Sequence, residues 1–133
     1  MSHRAQNRAS RMLGIVTLLL GMSVLAGCDR NVSNMLPHDV EGTWATDDPR
    51  YRDRFFELSP TFLIIVAGPD TPANVRWIDK VKIQATGSET SYVVYSTDCS
   101  DDTQNQMALI FNPANGGEIR FRNQSEVWRR RGR

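Results

Sequence analysis

Hydrophobic and polar positions divide this chain into two textures. Residues 12–25, MLGIVTLLLGMSVL, form an uncharged run behind a head that carries Arg4, Arg8 and Arg11 and no acid. From about Val40 the apolar positions come in short bursts separated by turn residues. Nowhere there does the i, i+3, i+4, i+7 spacing of an amphipathic helix persist over three turns. Thr, Val, Ile, Tyr, Phe and Trp dominate these bursts, as strands prefer.

Up to eight strands follow from this pattern. Val40–Ala45 stops at Asp47-Asp48-Pro49, and Arg54–Leu58 comes next, although 51–57 also reads as one short helix. Ser59-Pro60 turns into Phe62–Val66, a solid apolar run of the kind buried on both sides. After a loop around Gly68-Pro69-Asp70 and Pro72, Val75–Gln84 puts Val75, Trp77, Val81 and Ile83 on one face. Arg76, Lys80, Lys82 and Gln84 take the other, and Ile78 and Asp79 spoil the alternation. Thr86-Gly87-Ser88 permits a tight hairpin to Tyr92–Tyr95. Met107–Phe111, Glu118–Arg122 with Ile119 and Phe121 inward, and Glu126–Arg130 complete the set. Strand spacings near ten residues predict an all-β fold, a small antiparallel meander barrel or a sandwich, over residues 40–131. The polar stretch 29–39, DRNVSNMLPHD, is expected to be a linker.

The N-terminal texture is that of a secretory signal peptide: a basic head, an apolar run shorter than the roughly 20 residues of a spanning helix, then small residues. Leu25-Ala26-Gly27-Cys28 resembles the lipobox of bacterial lipoproteins at all four positions. Ala26 and Gly27 let an extended backbone enter a protease groove without clash, and a cysteine thiol is a strong nucleophile. The resemblance implies that Cys28 takes up a diacylglyceryl group, that cleavage precedes it, and that its new amino group is acylated. Residues 1–27 are then a signal peptide and 28–39 a lipidated tether. Asp29 resembles the residue that keeps enteric lipoproteins in the inner membrane, which favours its periplasmic face, with the outer membrane second.

Charge changes little in this picture. The whole chain is +1, and removing the first 27 residues takes three of its 16 basic residues and none of its 15 acids. The remainder is about −2, which leaves no electrostatic footprint for nucleic acid.

Gly42-Thr43-Trp44 opens the domain, and an arginine-rich strand closes it. This resembles the calycin superfamily of lipocalin-like barrels, in which a Gly-x-Trp begins the first strand. The resemblance implies that Trp44 packs beneath Arg129 or Arg130 and closes the base of the barrel through a cation–π contact. A barrel this short is expected to be filled by side chains.

Candidate chemistry is sparse. After cleavage one histidine is left, His38, in the expected linker; HExxH, CxxC, GxSxG and glycine-rich phosphate loops are absent. Glu57, Asp79 and Glu118 form a paired-carboxylate site only if the fold brings them together. Neither an enzyme activity, a cofactor nor a metal is expected. Cys99 has no cysteine partner once Cys28 is lipidated, and a buried or inert thiol is expected. The loop Thr97-Asp98-Cys99-Ser100-Asp101-Asp102 reads as a solvated acidic loop without the EF-hand spacing. Arg129, Arg130, Arg131 and Arg133 read as a solvated terminal strand.

Two functions fit. The first is a membrane-anchored interaction or accessory module with a protein partner in the cell envelope. Lipoproteins that inhibit lysozyme are similar only in outline, through their barrel size. The second is a lipocalin-like carrier of a small apolar ligand, its cavity lined by aromatics such as Tyr95, Phe111 and Trp128.

Overall fold

The computed structural model describes residues 31–132; Cys28, Asp29 and Arg133 lie outside the described residues. Nine antiparallel strands run in chain order: β1 Asn31–Ser33, β2 Gly42–Ala45, β3 Phe55–Leu58, β4 Phe62–Val66, β5 Asn74–Thr86, β6 Glu89–Asp98, β7 Gln104–Asn112, β8 Glu118–Phe121 and β9 Trp128–Arg130. Strands β2 to β9 pair each with the next, and β9 pairs back onto β2 through Trp44↔Arg130 and Ala45↔Arg129. The result is a closed eight-stranded barrel, and β1 is an extra strand paired in the sheet with the end of β5 that extends beyond β4. Closure gives every strand of the ring a neighbour on both sides over part of its length.

Alternation along the strands selects the interior. Trp44, Phe56, Leu58, Leu63, Ile78, Val81, Tyr92, Val94, Leu109, Phe111, Ile119 and Trp128 are buried, contributed by every strand of the ring. The short strands meet the long hairpin β5–β6–β7, so one wall of the barrel is taller than the other. In β4, only Leu63 is fully buried, and the other residues are half-buried. This run is therefore lined by protein on one face, not two.

The stretch 29–39 is not a free linker where it is described. Asn31–Ser33 pairs with Val81–Ile83 of β5, and the Leu36 N–H donates to the Pro60 carbonyl at 2.9 Å. Leu36 and Val40 are buried in the core, and a 3-10 turn at His38–Val40 covers the base of the barrel. The apolar residues of this polar stretch carry no period, so the sequence pattern did not reveal Leu36 as core, while Val40, expected to open the first strand, ends the 3-10 turn before it.

Residues 51–57 are neither one helix nor one strand. A 3-10 turn at Pro49–Tyr51, capped by Asp48 through the Arg50 N–H, precedes β3. The long strand β5 departs most from simple alternation. Its register against β6 shifts between Ile78 and Lys80, which marks a β-bulge at Asp79. Below the bulge Val81 is buried, but above it Ile78 is buried, so Val75 and Trp77 face outward. The four residues Val75, Trp77, Val81 and Ile83 do not share a face.

Candidate functional site

The two ends of the barrel differ. At the base, the Arg130 guanidinium lies 4.8 Å from the Trp44 ring centroid, and the Trp44 Nε1–H donates to the Val40 carbonyl at 3.0 Å. Arg130 also donates to the carbonyls of Asp39 and Gly116. The base is thus sealed by the closing strand and the entering chain together. Arg129, the other arginine considered for this contact, faces outward, 3.6 Å from Glu118 and 3.8 Å from Asp47. Gly42 has φ +141°, and a Cβ there would meet Arg130 Nε at 3.2 Å, so the glycine admits the arginine.

The mouth, at the opposite end, carries a shallow aromatic cup of about 200 Å³. Its wall is Phe56 and Ile65 from β3 and β4, Met107 from β7, Phe121 from β8 and Trp128 from β9, with Arg54 and Gln124 among the lining residues. The rings interlock: Trp128 sits 5.3 Å from Phe56, 6.0 Å from Phe121 and 5.7 Å from Tyr51. Tyr51 is brought over Trp128 by the loop between β2 and β3. That loop is held by Arg50, which bridges Asp48 at 2.7 Å and Glu126. The Trp128 Nε1–H and the Ser96 Oγ are buried without a hydrogen-bond partner, both on inward-facing side chains.

Beside the mouth, the end of β6 carries a compact polar cluster. The Asp98 carboxylate accepts from the Ser100 N–H at 2.8 Å and the Ser100 hydroxyl at 2.6 Å, and from the Asn74 amide. Asn74 accepts in turn from Arg76 Nε at 2.6 Å. Donation by Ser100, then by Asn74, with Arg76 nearby, lowers the Asp98 pKa to about 2. Asp98 is buried, so the segment 98–102 is not a plainly solvated acidic loop. Cys99 is exposed, so of the expected buried or inert thiol the buried alternative does not hold, and its N–H donates to the Val75 carbonyl.

The remaining candidates separate. Glu57, Asp79 and Glu118 stand on β3, β5 and β8, no two of which are paired, so the fold does not gather them. His38 is exposed and lies 2.9 Å from Glu41. Among the described residues, no group of three or more His, Cys, Asp or Glu side chains is placed to hold a metal ion. Of the three aromatics considered as cavity lining, only Trp128 borders the cup. Phe111 packs edge-on against Trp44 in the base, and Tyr95 lies outside beneath Lys80 at 4.5 Å and Lys82 at 5.3 Å. Arg131 is not simply solvated, because its guanidinium lies 5.1 Å from the Phe55 ring. Tyr51, Met107 and Gln124 were missed by sequence reasoning, since they belong to three elements whose convergence only the closed ring creates.

A scan of family models, a search of curated proteins and a search of solved structures each return no match to this chain.

Proposed function

We propose that this chain is a bacterial lipoprotein, anchored through Cys28, whose barrel acts as a protein-interaction module in the cell envelope. One observation carries the choice between module and carrier: core side chains fill the barrel, so its mouth keeps a cup of only about 200 Å³, and the larger space of about 710 Å³ beside Gly42 and Arg130 is an open groove lined by Glu41, Phe55 and Glu57. Sites that enclose a small molecule run to about 300–1,000 Å³. The cup suits the end of one bulky apolar side chain from a partner. Tyr51, Phe56, Phe121 and Trp128 offer it rigid aromatic walls, the residue types that anchor protein interfaces.

The carrier reading has one observation in its favour. Gly42, Trp44 and Arg130 meet at the base as the lipocalin-like resemblance implies, and the unpartnered Trp128 Nε1–H is a donor that an apolar ligand with one acceptor oxygen would satisfy. Asp29, following Cys28, favours the periplasmic face of the inner membrane as the location. A photo-crosslinking residue in place of Gln124 tests module against carrier. The module gives a discrete protein adduct in cells that a Phe121→Arg change removes. An organic extract of the purified protein containing a stoichiometric small molecule, with no adduct, supports the carrier instead.

A further inference from the structure

Among the described residues, the large hydrophobic side chains that stand exposed are four: Val32 at 59%, Met35 at 48%, Val75 at 36% and Trp77 at 55%. All four lie along one flank of the barrel. Trp77 and Val75 point outward from β5 because the bulge at Asp79 turns that end of the strand over. Opposite them on β4, Phe62 pairs with Trp77, edge to face with centroids 6.3 Å apart, and Ile64 pairs with Val75. Val32 lies on β1 across from Lys82, further down the same strand. Met35 precedes Leu36, whose N–H donates to the Pro60 carbonyl in the turn before Phe62. Six apolar side chains thus stand on this flank in two groups, Trp77, Val75, Phe62 and Ile64 above the bulge and Val32 and Met35 near the entering chain, with Asp79, Lys80 and Lys82 of β5 between them.

The flank begins where the chain enters. Asn31, the first described residue, is three residues beyond Cys28, and three extended residues reach at most about 11 Å. Trp77 lies six positions along β5 from Ile83, the partner of Asn31, which is roughly 20 Å of strand. A lipid on Cys28 therefore holds the β1 end of this flank within reach of the bilayer surface.

We infer that this flank lies on the membrane that holds the Cys28 lipid, with Trp77, Phe62, Val75, Val32 and Met35 seated at the boundary of headgroups and acyl chains. The inference rests on the reading of Cys28 as lipidated. The residue types fit that depth. Tryptophan concentrates at membrane interfaces, and lysines reach from such a surface to the headgroups. The chain's two lysines, Lys80 and Lys82, are both on β5 between the two apolar groups, their ammonium groups over Tyr95. Acids border the flank as well: Asp79, which accepts from the Thr97 hydroxyl, Glu57, beside Ile64, and the loop of Asp101 and Asp102, whose Cys99 N–H donates to the Val75 carbonyl. The flank need not bind lipid tightly by itself, because the covalent anchor already confines it to the surface. In this orientation β9, four strands from β5 in either direction around the ring, faces away from the membrane.

Trp77 reports the contact directly, because Trp44 and Trp128 are buried. The full lipidated chain is reconstituted into phosphatidylcholine–phosphatidylglycerol vesicles whose phospholipid carries bromine near the top of its acyl chains. Emission is compared with unbrominated vesicles, and acrylamide is added as a water-borne quencher. Seating at the interface predicts that bromolipid removes roughly half of the Trp77 emission and that acrylamide removes little. Trp77→Phe should abolish the bromolipid effect and leave the Trp44 and Trp128 emission unchanged. A chain whose mass shows the lipid, but whose Trp77 is quenched by acrylamide and not by bromolipid, overturns the inference and leaves the lipoprotein reading intact. Shielding from both quenchers means that protein, a second copy or a partner, covers the flank, and equally overturns the inference. A chain whose mass shows no lipid removes the lipoprotein reading, and this orientation with it.

Discussion

The Arg130 guanidinium lies over the Trp44 ring at 4.8 Å, and the two residues are also backbone partners across the seam where β9 meets β2. The contact therefore closes the sheet and covers the closing hydrogen bonds at once. Removing the fully buried Trp44 side chain should cost about 3–5 kcal/mol. Arg130→Ala should cost about 1–2 kcal/mol, since the cation–π contact is partly desolvated, and the double mutant should fall short of the sum. Arg129→Ala, on an exposed side chain with long ion pairs, should stay within about 0.5 kcal/mol. Urea denaturation of the four variants checks the cycle; strict additivity of Trp44 and Arg130 contradicts it.

Gly117 supports the same seam from the other side. It has φ +104°, and a Cβ would stand 3.2 Å from Trp44 Cη2 and 3.3 Å from Phe111 Cε2. Gly117→Ala combines backbone strain with overpacking against two aromatic rings that cannot bend away. A loss of about 1–3 kcal/mol in denaturant titration is expected.

Leu36 tests whether the entering chain belongs to the barrel. As a buried residue it should cost about 2–4 kcal/mol when changed to Ala. A linker residue would cost nothing measurable. Thermal unfolding separates these outcomes.

Stability at acid pH should depend on Asp98. Its carboxyl titrates at 3.8 in an ordinary setting and at about 2 in the folded barrel. Because the folded pKa is the lower one, the stabilisation is complete above the unfolded value and disappears as pH falls through about 4 and then 2. Asp98→Asn should lower stability at neutral pH and flatten the dependence between those limits. A variant whose midpoint falls with pH as steeply as the wild type contradicts the assignment.

The all-β antiparallel meander was legible from alternation and turn residues, because alternate positions such as Ile119 and Phe121 do face one interior, whereas that pattern left a barrel and a sandwich both open. The base motif was legible too, in that Gly42, Trp44 and an arginine of the last strand stood at the two ends of the domain. The orientation of β5 was not. One bulged residue, Asp79, reverses every side chain on one side of it, and sequence shows the interruption without its sense. That reversal turned an expected core tryptophan into the exposed centre of the β5 flank. Leu36 was hidden for a different reason, since the few apolar residues of a polar stretch have no period to read. The mouth cup needs residues from β3, β4, β7, β8 and β9 to meet, which is a property of closure and of no single segment.

The lipid on Cys28 is the claim on which the envelope function depends. Cells expressing the wild-type chain and Cys28→Ser are grown with a fatty-acid analogue, and the purified proteins are assayed for label and for intact mass. The account predicts a labelled wild type whose chain begins at Cys28, and an unlabelled Cys28→Ser protein. An unlabelled wild type that still begins at Met1 would contradict it.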